Sequence, residues 1–196
     1  FAIQANLAPE KATKNTHPEV RSKCKVIMLG VQYGMSAYGM AHGAGIHFLD
    51  AKDLLQRHKD VYRTFWKWAA QNANAGLAGV QLHTVFGWKI QAGMGQELKQ
   101  NTYLNWPMQA NGAEMLRLTC CMATESGINV CAPVHDAILI EGPTELIQQH
   151  IEQTSTIMSQ ASEYILGKGR KCRVDFEVFS SPERYADSRG TAMWAF

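Results

Sequence analysis

The sequence predicts an α+β chain, with a helical first half followed by helices packed on a small antiparallel sheet. Three observations predict it. Between Asp50 and Ala75 the residues Leu54, Leu55, Val61, Phe65, Trp66 and Trp68 recur mostly on one side of a helix. Two short apolar runs between Ile128 and Ile140 meet at His135-Asp136, the pattern of a hairpin with a polar tip. Cys172 to Phe179 alternates apolar and polar side chains, as a strand does.

The remaining elements follow in order. His17-Pro18-Glu19 starts a helix through Arg21, Lys25 and Ile27, because proline in a first turn loses no needed hydrogen bond. Gly30 and Gly34 are expected to interrupt it. Asp50 is the expected cap of the next helix, Gly76 and Gly79 its end, and Val80 to Ile90 turns around Phe86-Gly87. Pro107 is expected to open a helix with Met108, Met115, Leu116, Leu118 and Met122 as apolar contacts and Gly127 as its stop. Gly142-Pro143 closes the hairpin, and Thr144 is the expected cap of a last helix of roughly residues 145 to 166.

Composition narrows the function classes. The 196 residues are 46% hydrophobic and carry 19 Lys+Arg against 17 Asp+Glu, which excludes a disordered chain and allows one domain or two small lobes. The 5 cysteines are odd in number and show no Cys-x-x-Cys spacing, so neither a zinc knuckle nor a disulfide framework is indicated and a reducing compartment is expected. Without a run approaching about 18 apolar residues or the charged and apolar regions of a signal peptide, the chain is expected to be soluble, and its expected place is the cytoplasm. It begins at Phe1 in an apolar stretch that reads like the inside of a helix, as if cut from something longer. Residues 1 to 99 hold 12 Lys+Arg and 6 Asp+Glu, whereas residues 100 to 196 hold 7 and 11. One lobe facing a polyanion and another gathering carboxylates for metal ions would give this asymmetry, and so would unequal solvated surface.

Three constellations carry chemistry. Arg21, Lys25, Leu29 and Tyr33 recur every fourth residue, and each step drifts only about 40° around a helix. One face therefore offers two cations, an aliphatic group and a ring, the order of phosphates, sugar and base in a nucleoside triphosphate. Gly34 would allow close approach. The same Arg-x-x-x-Lys pair is also what a solvated helix face carries. At the hairpin tip, Asp136 can present oxygens to a hard cation such as Mg²⁺ or accept N–H bonds of its own turn. Asn105 and Gln109 stand four apart near a helix start. Two aligned carboxamides suit the minor groove, where every Watson–Crick pair offers acceptors at similar places, while Asn105 alone can also be a helix cap.

RSKCKVIMLGVQYGMSAYGM, then NWPMQANGAEMLR, then VHDAILIE resemble, in order and spacing, the C-terminal half of family A DNA polymerases, the bacterial DNA polymerase I type. The likeness runs through nearly the whole chain. It implies a partial right-hand fold, with fingers at residues 1 to 92 and the C-terminal part of the palm at residues 93 to 196. It implies that Arg21 and Lys25 bind the incoming dNTP, that Leu29 meets its sugar, and that Tyr33 guards the nascent pair. Gly34, Ser36 and Tyr38 would lie near the template, Asn105, Gln109 and His135 would contact primer-template DNA, and Asp136 would be the catalytic carboxylate holding Mg²⁺, two ions being implied for the complete enzyme.

The sequence departs from the family pattern at named places. Leu29 stands where Phe or Tyr is usual, as in some phage-type members, Ala137 where Glu is usual, and Asn101 where a basic residue is usual. The family's first catalytic aspartate, in an Asp-x-Ser-like motif, would precede Phe1, and Asp50, Asp53, Asp60, Asp175 and Asp187 do not stand in that context. The missing N-terminal part of the polymerase is therefore an expected partner, and the 196 residues alone are expected to be inactive. A phage-type single-subunit RNA polymerase shares the Arg/Lys helix, Tyr-Gly and His-Asp, although NWPMQ favours DNA. A non-catalytic DNA-binding remnant is the alternative outside enzymes.

Overall fold

Helix α1 spans Pro18–Gln32 and passes straight through Gly30. The expected interruption does not occur because Gly30 keeps a helical backbone and is used for packing: a Cβ there would overlap the sulfur and terminal methyl of Met35. The helix ends at Gly34, whose φ is +76°. The Met35 N–H reaches the Gly30 carbonyl at 2.8 Å and the Gly34 N–H reaches that of Val31 at 3.0 Å, the paired bonds of a glycine C-terminal cap. A short helix, α2 (Ala37–Ala44), follows at once, capped by the Ser36 hydroxyl, which accepts from the Gly39 N–H.

The long periodic stretch is two helices, α3 (Phe48–Val61) and α4 (Arg63–Leu77), broken at Tyr62. His47 caps α3 through its ring nitrogen, and Asp50, expected as the cap, sits in the first turn, where its charge suits the helix dipole. Ile27, Val31, Met40 and Ala51 form the buried core that joins α1, α2 and α3, with Met35, Leu54 and Trp66 packed on it. Beyond α4 the backbone makes one antiparallel bridge, His83 to Lys89, around Gly87 at φ +81°, in keeping with the expected loose turn.

Residues 1–91 and 97–183 of this computed structural model are described. The boundary expected between residues 92 and 93 lies outside them, as does Asp187. Helix α5 is Gln100–Glu125, with Pro107 inside it and not at its start. Proline lacks the N–H that would bond the Tyr103 carbonyl, a loss tolerated in the third turn because tertiary contacts hold the segment. The Tyr103 ring packs so closely on Gly76 that any side chain there would collide with it. Trp88 and Trp106 lie 5.9 Å apart.

The chain forms two compact units, Phe1–Ala110 and Asn111–Phe196, and α5 contributes residues to each. In the second unit α5 ends as expected at Gly127, φ +80°, with Ile128 N–H bonded to the Ala123 carbonyl at 3.0 Å. Strands β1 (Asn129–Val134) and β2 (Ala137–Glu141) pair antiparallel, with a register shift between Val130 and Ala132. Alternate residues are half-buried, and Val130 and Ile140 pack on a core of Ala123, Ile128 and Ile157. Helix α6 (Ile147–Leu166) supplies Ile157, and no side chain caps its start, so Thr144 does not have the expected role. Cys172 to Phe179 joins no ladder among the described residues. Its alternation is real, but a strand exists only with a partner for its N–H and C=O groups. The fold class is α+β, with helices predominating over a small antiparallel sheet.

Candidate functional site

Arg21 and Lys25 are exposed on α1 and line the same cavity, of about 360 Å³, together with Val20, Cys24 and Met28 from the same helix. Among the described residues neither cation is in an ion pair. Two like charges one turn apart repel, so an anion bridging them would stabilise the pair. Farther along the same stripe, Leu29 is 46% exposed and Tyr33 is 50% exposed, whereas Ile27 and Val31 of the same helix are buried in the core. Helix α1 thus divides its work: one side holds the fold and the other remains open.

The C-terminal end of α1 meets the N-terminal turns of α5. Gln109 Nε2 donates to the Tyr33 hydroxyl at 2.6 Å, and Asn101 Nδ2 lies 3.4 Å from the Gly34 carbonyl. The room expected at Gly34 is filled by the Asn101 carboxamide, 2.5 Å from where a Cβ would stand. Asn105 lies within α5 and is not a cap. Its Oδ1 is buried without a hydrogen-bond partner among the described residues, an acceptor that remains to be satisfied. Ser36 caps α2, and Tyr38, 74% exposed, projects from that helix's first turn.

In the second unit, His135 and Asp136 are the two residues between the paired Val134 and Ala137. Both are exposed, and His135 adopts the left-handed φ of +56°. That conformation disfavours a side chain but is least costly for Asn, Asp and His, so the tight turn presents its carboxylate on a rigid base. Asn129 Nδ2 clasps Glu141 at 2.6 Å at the other end of the hairpin. Asp136 is the candidate oxygen ligand for a divalent cation: it is exposed and makes no ion pair among the described residues. Three aspartates that do not stand in the family's motif context are engaged locally, Asp53 with Arg57 at 2.7 Å, Asp175 with Arg173 at 2.8 Å and Asp60 with Gln56 at 3.2 Å.

The structure therefore brings Tyr33 and Gly34 together with Gln109 and Asn101 in the first unit, and seats His135 and Asp136 on one turn in the second. Asn101 as a partner of Gly34 was not foreseen, because a contact between residues 67 positions apart has no local signature.

The sequence matches DNA polymerase family A over residues 1–181. It is 27% identical over 159 residues to DNA polymerase I of Pseudomonas aeruginosa, covering 72% of this chain and 17% of that protein. DNA polymerase I of Aquifex aeolicus is 26% identical over 176 residues, covering 83% of this chain and 30% of that one. The chain thus spans less than a third of these relatives. The solved POL domain of Pol1 from M. smegmatis, in complex with DNA primer-template and dNTP, superposes with a TM-score of 0.68 at 21% identity, over 82% of this chain and 30% of that one, a likeness of fold. Among the described residues no helix is long and apolar enough to cross a membrane. The ordered motifs, the helical unit with its open cationic stripe and the hairpin tip have one common explanation in this match: the chain belongs to DNA polymerase family A.

Proposed function

We propose that this chain supplies the fingers, residues 1 to 92, and the C-terminal part of the palm, residues 93 to 196, of a template-directed DNA polymerase. The reaction is attack of a primer 3′ hydroxyl on the α-phosphorus of a dNTP with release of pyrophosphate. The observation that carries this reading is the pair of unpaired cations, Arg21 and Lys25, on one cavity of a family A chain.

Each residue has a physical task. Arg21 and Lys25 neutralise the triphosphate, Arg21 able to bind two oxygens at once and Lys25 acting as a point charge. Leu29 gives the sugar an aliphatic wall, and Tyr33 tests the new pair from the end of the helix. Gly34, Ser36 and Tyr38 border the template. Asn105, with its unsatisfied acceptor, Gln109 and His135 hold primer-template DNA, carboxamides reading pair geometry in the minor groove without reading sequence. Asp136 would hold Mg²⁺, which supplies charge stabilisation at the attacking and leaving oxygens when bound. Asp53, Asp60 and Asp175 are given no part in this site, each being engaged with a neighbour on its own segment.

Primer extension tests the reading. The full-length protein should extend a matched primer with dNTPs and Mg²⁺, and the 196 residues alone should not. In the full-length protein, Lys25→Ala should raise the KM for dNTP far more than Lys23→Ala, because Lys23 lies about 200° round the helix. Equal losses would discredit the face assignment, and preference for rNTPs would favour an RNA polymerase.

A further inference from the structure

The cavity that Arg21 and Lys25 line has two more nitrogen-bearing side chains on its wall, and these come from outside the Arg-x-x-x-Lys pattern. Lys14 belongs to the turn before α1 and His17 to its N-cap. The turn is held by the Thr16 N–H to Thr13 Oγ1, 3.2 Å, and by the Thr13 N–H to Thr16 Oγ1, 2.9 Å. The Thr16 hydroxyl also meets His17 Nδ1 at 2.9 Å, which fixes the ring and leaves Nε2 available. His17, Arg21 and Lys25 are four residues apart, so they rise about 6 Å per step along one side of α1.

No Asp or Glu lines this cavity, and among the described residues none of the four groups is in an ion pair. Glu19, in the first turn of the same helix, lies about 200° round from His17. The rest of the wall is largely apolar, with Phe1, Ile3, Val20 and Met28. Positive groups that share one low-dielectric wall raise the field beside it, and a polyvalent anion there would relieve their mutual repulsion.

We infer that Lys14 and His17 complete, with Arg21 and Lys25, a pocket of four nitrogen donors for the pyrophosphate portion of the nucleotide: the β- and γ-phosphates before the reaction and the leaving pyrophosphate after it. This rests on the polymerase reading for its ligand, but its test does not rest on activity. Inorganic pyrophosphate is titrated into the full-length protein by calorimetry, and a short duplex DNA is titrated in parallel. Lys14→Ala and His17→Gln should each weaken pyrophosphate binding roughly 3- to 10-fold, the worth of one charge-assisted contact, and leave duplex binding unchanged. Lys11→Ala is the control and should change neither. Weakened duplex binding with pyrophosphate binding intact would assign the pocket to a nucleic-acid backbone and overturn the inference. Unchanged pyrophosphate binding in both variants would also overturn it, even in a protein that extends primers. Selective loss of pyrophosphate binding in a protein that extends no primer would uphold the pocket while the polymerase reading falls.

Discussion

Gln109 Nε2 donates to the Tyr33 hydroxyl at 2.6 Å, joining the end of α1 to the third turn of α5 across 76 positions of sequence. The bond leaves Gln109 Oε1 and its second N–H unoccupied by Tyr33, so it orients the carboxamide without consuming it. In the proposed site Tyr33 would thereby position Gln109, in addition to its own proposed place at the nascent pair. Because both groups are exposed, the bond itself stabilises little, about 0.5 kcal/mol. Its functional effect is expected to be larger: Tyr33→Phe and Gln109→Ala should each raise extension of mismatched primer termini several-fold. In the double variant the two effects should not add, as for any pair acting through one bond. Additive losses in a mismatch-extension assay would separate the two residues.

Gly34 is constrained twice, by a φ of +76° and by the Asn101 carboxamide against its Cα. Gly34→Ala should lower the unfolding free energy by about 2 kcal/mol or more, roughly 1 to 2 of it from the left-handed backbone and the rest from the collision. The two parts are separable. Adding Asn101→Ala removes the collision and should recover part of the loss, whereas Asn101→Ala alone should cost less than about 1 kcal/mol, because its bond to the Gly34 carbonyl is long at 3.4 Å. Urea unfolding of the four proteins checks this. A double variant no more stable than Gly34→Ala alone would show that the backbone conformation is the whole effect.

The hairpin tip sets conformation against chemistry. His135→Gly should stabilise the turn by about 1 kcal/mol, since glycine has no Cβ to strain at a φ of +56°. It should also weaken primer-template binding by the full-length protein, for the imidazole is then gone. Asp136→Asn keeps the size and the turn, and should leave the melting temperature within a few degrees while primer extension falls by more than roughly a hundredfold. Thermal unfolding and extension rates measured on the same preparations distinguish a lost ligand from a lost fold.

How much of this was legible in the sequence depends on the range of the interaction. The hairpin was, because period-two alternation and a turn-tolerant His-Asp are local properties of residues 128 to 140. The cationic stripe was, because helical spacing alone places Arg21 and Lys25 together. Helix α2 was not foreseen: its AYGMAHGA has little apolar contrast, and its only local marks are the Ser36 cap and Gly45 at φ +62°. The break at Tyr62 was hidden by an apolar rhythm that continues across it. Pro107 misled because a first-turn preference cannot reveal that Tyr103, seated on Gly76, extends the helix upstream. Cys172 to Phe179 has the pattern of a strand but no ladder among the described residues, since pairing depends on a second segment. The Tyr33–Gln109 bond likewise depends on tertiary structure.

His58 gives a prediction about pH that no motif suggested. It is 1% exposed, with Phe1, Tyr62 and Trp66 rings at 5.4, 4.7 and 6.0 Å. Trp66 Nε1 donates to its Nδ1 at 3.1 Å, so the ring proton of the neutral form sits on Nε2, which is buried without a partner among the described residues. A charged imidazolium would turn Nδ1 into a donor facing a donor, and burial pushes the His58 pKa below the ordinary histidine value. The unfolded chain then binds a proton that the native state refuses, so stability rises with pH across this window. Above about pH 7 both states are neutral and His58 contributes no slope. As the pH falls below about 6.5 the unfolded state gains the proton first and stability is lost until the lowered native pKa is reached. His58→Gln keeps an acceptor for Trp66 and removes the titration. Its urea midpoint should lie below that of the unmodified chain at pH 8 and converge toward it by pH 5. Parallel curves over that range would show that His58 is not the group responsible.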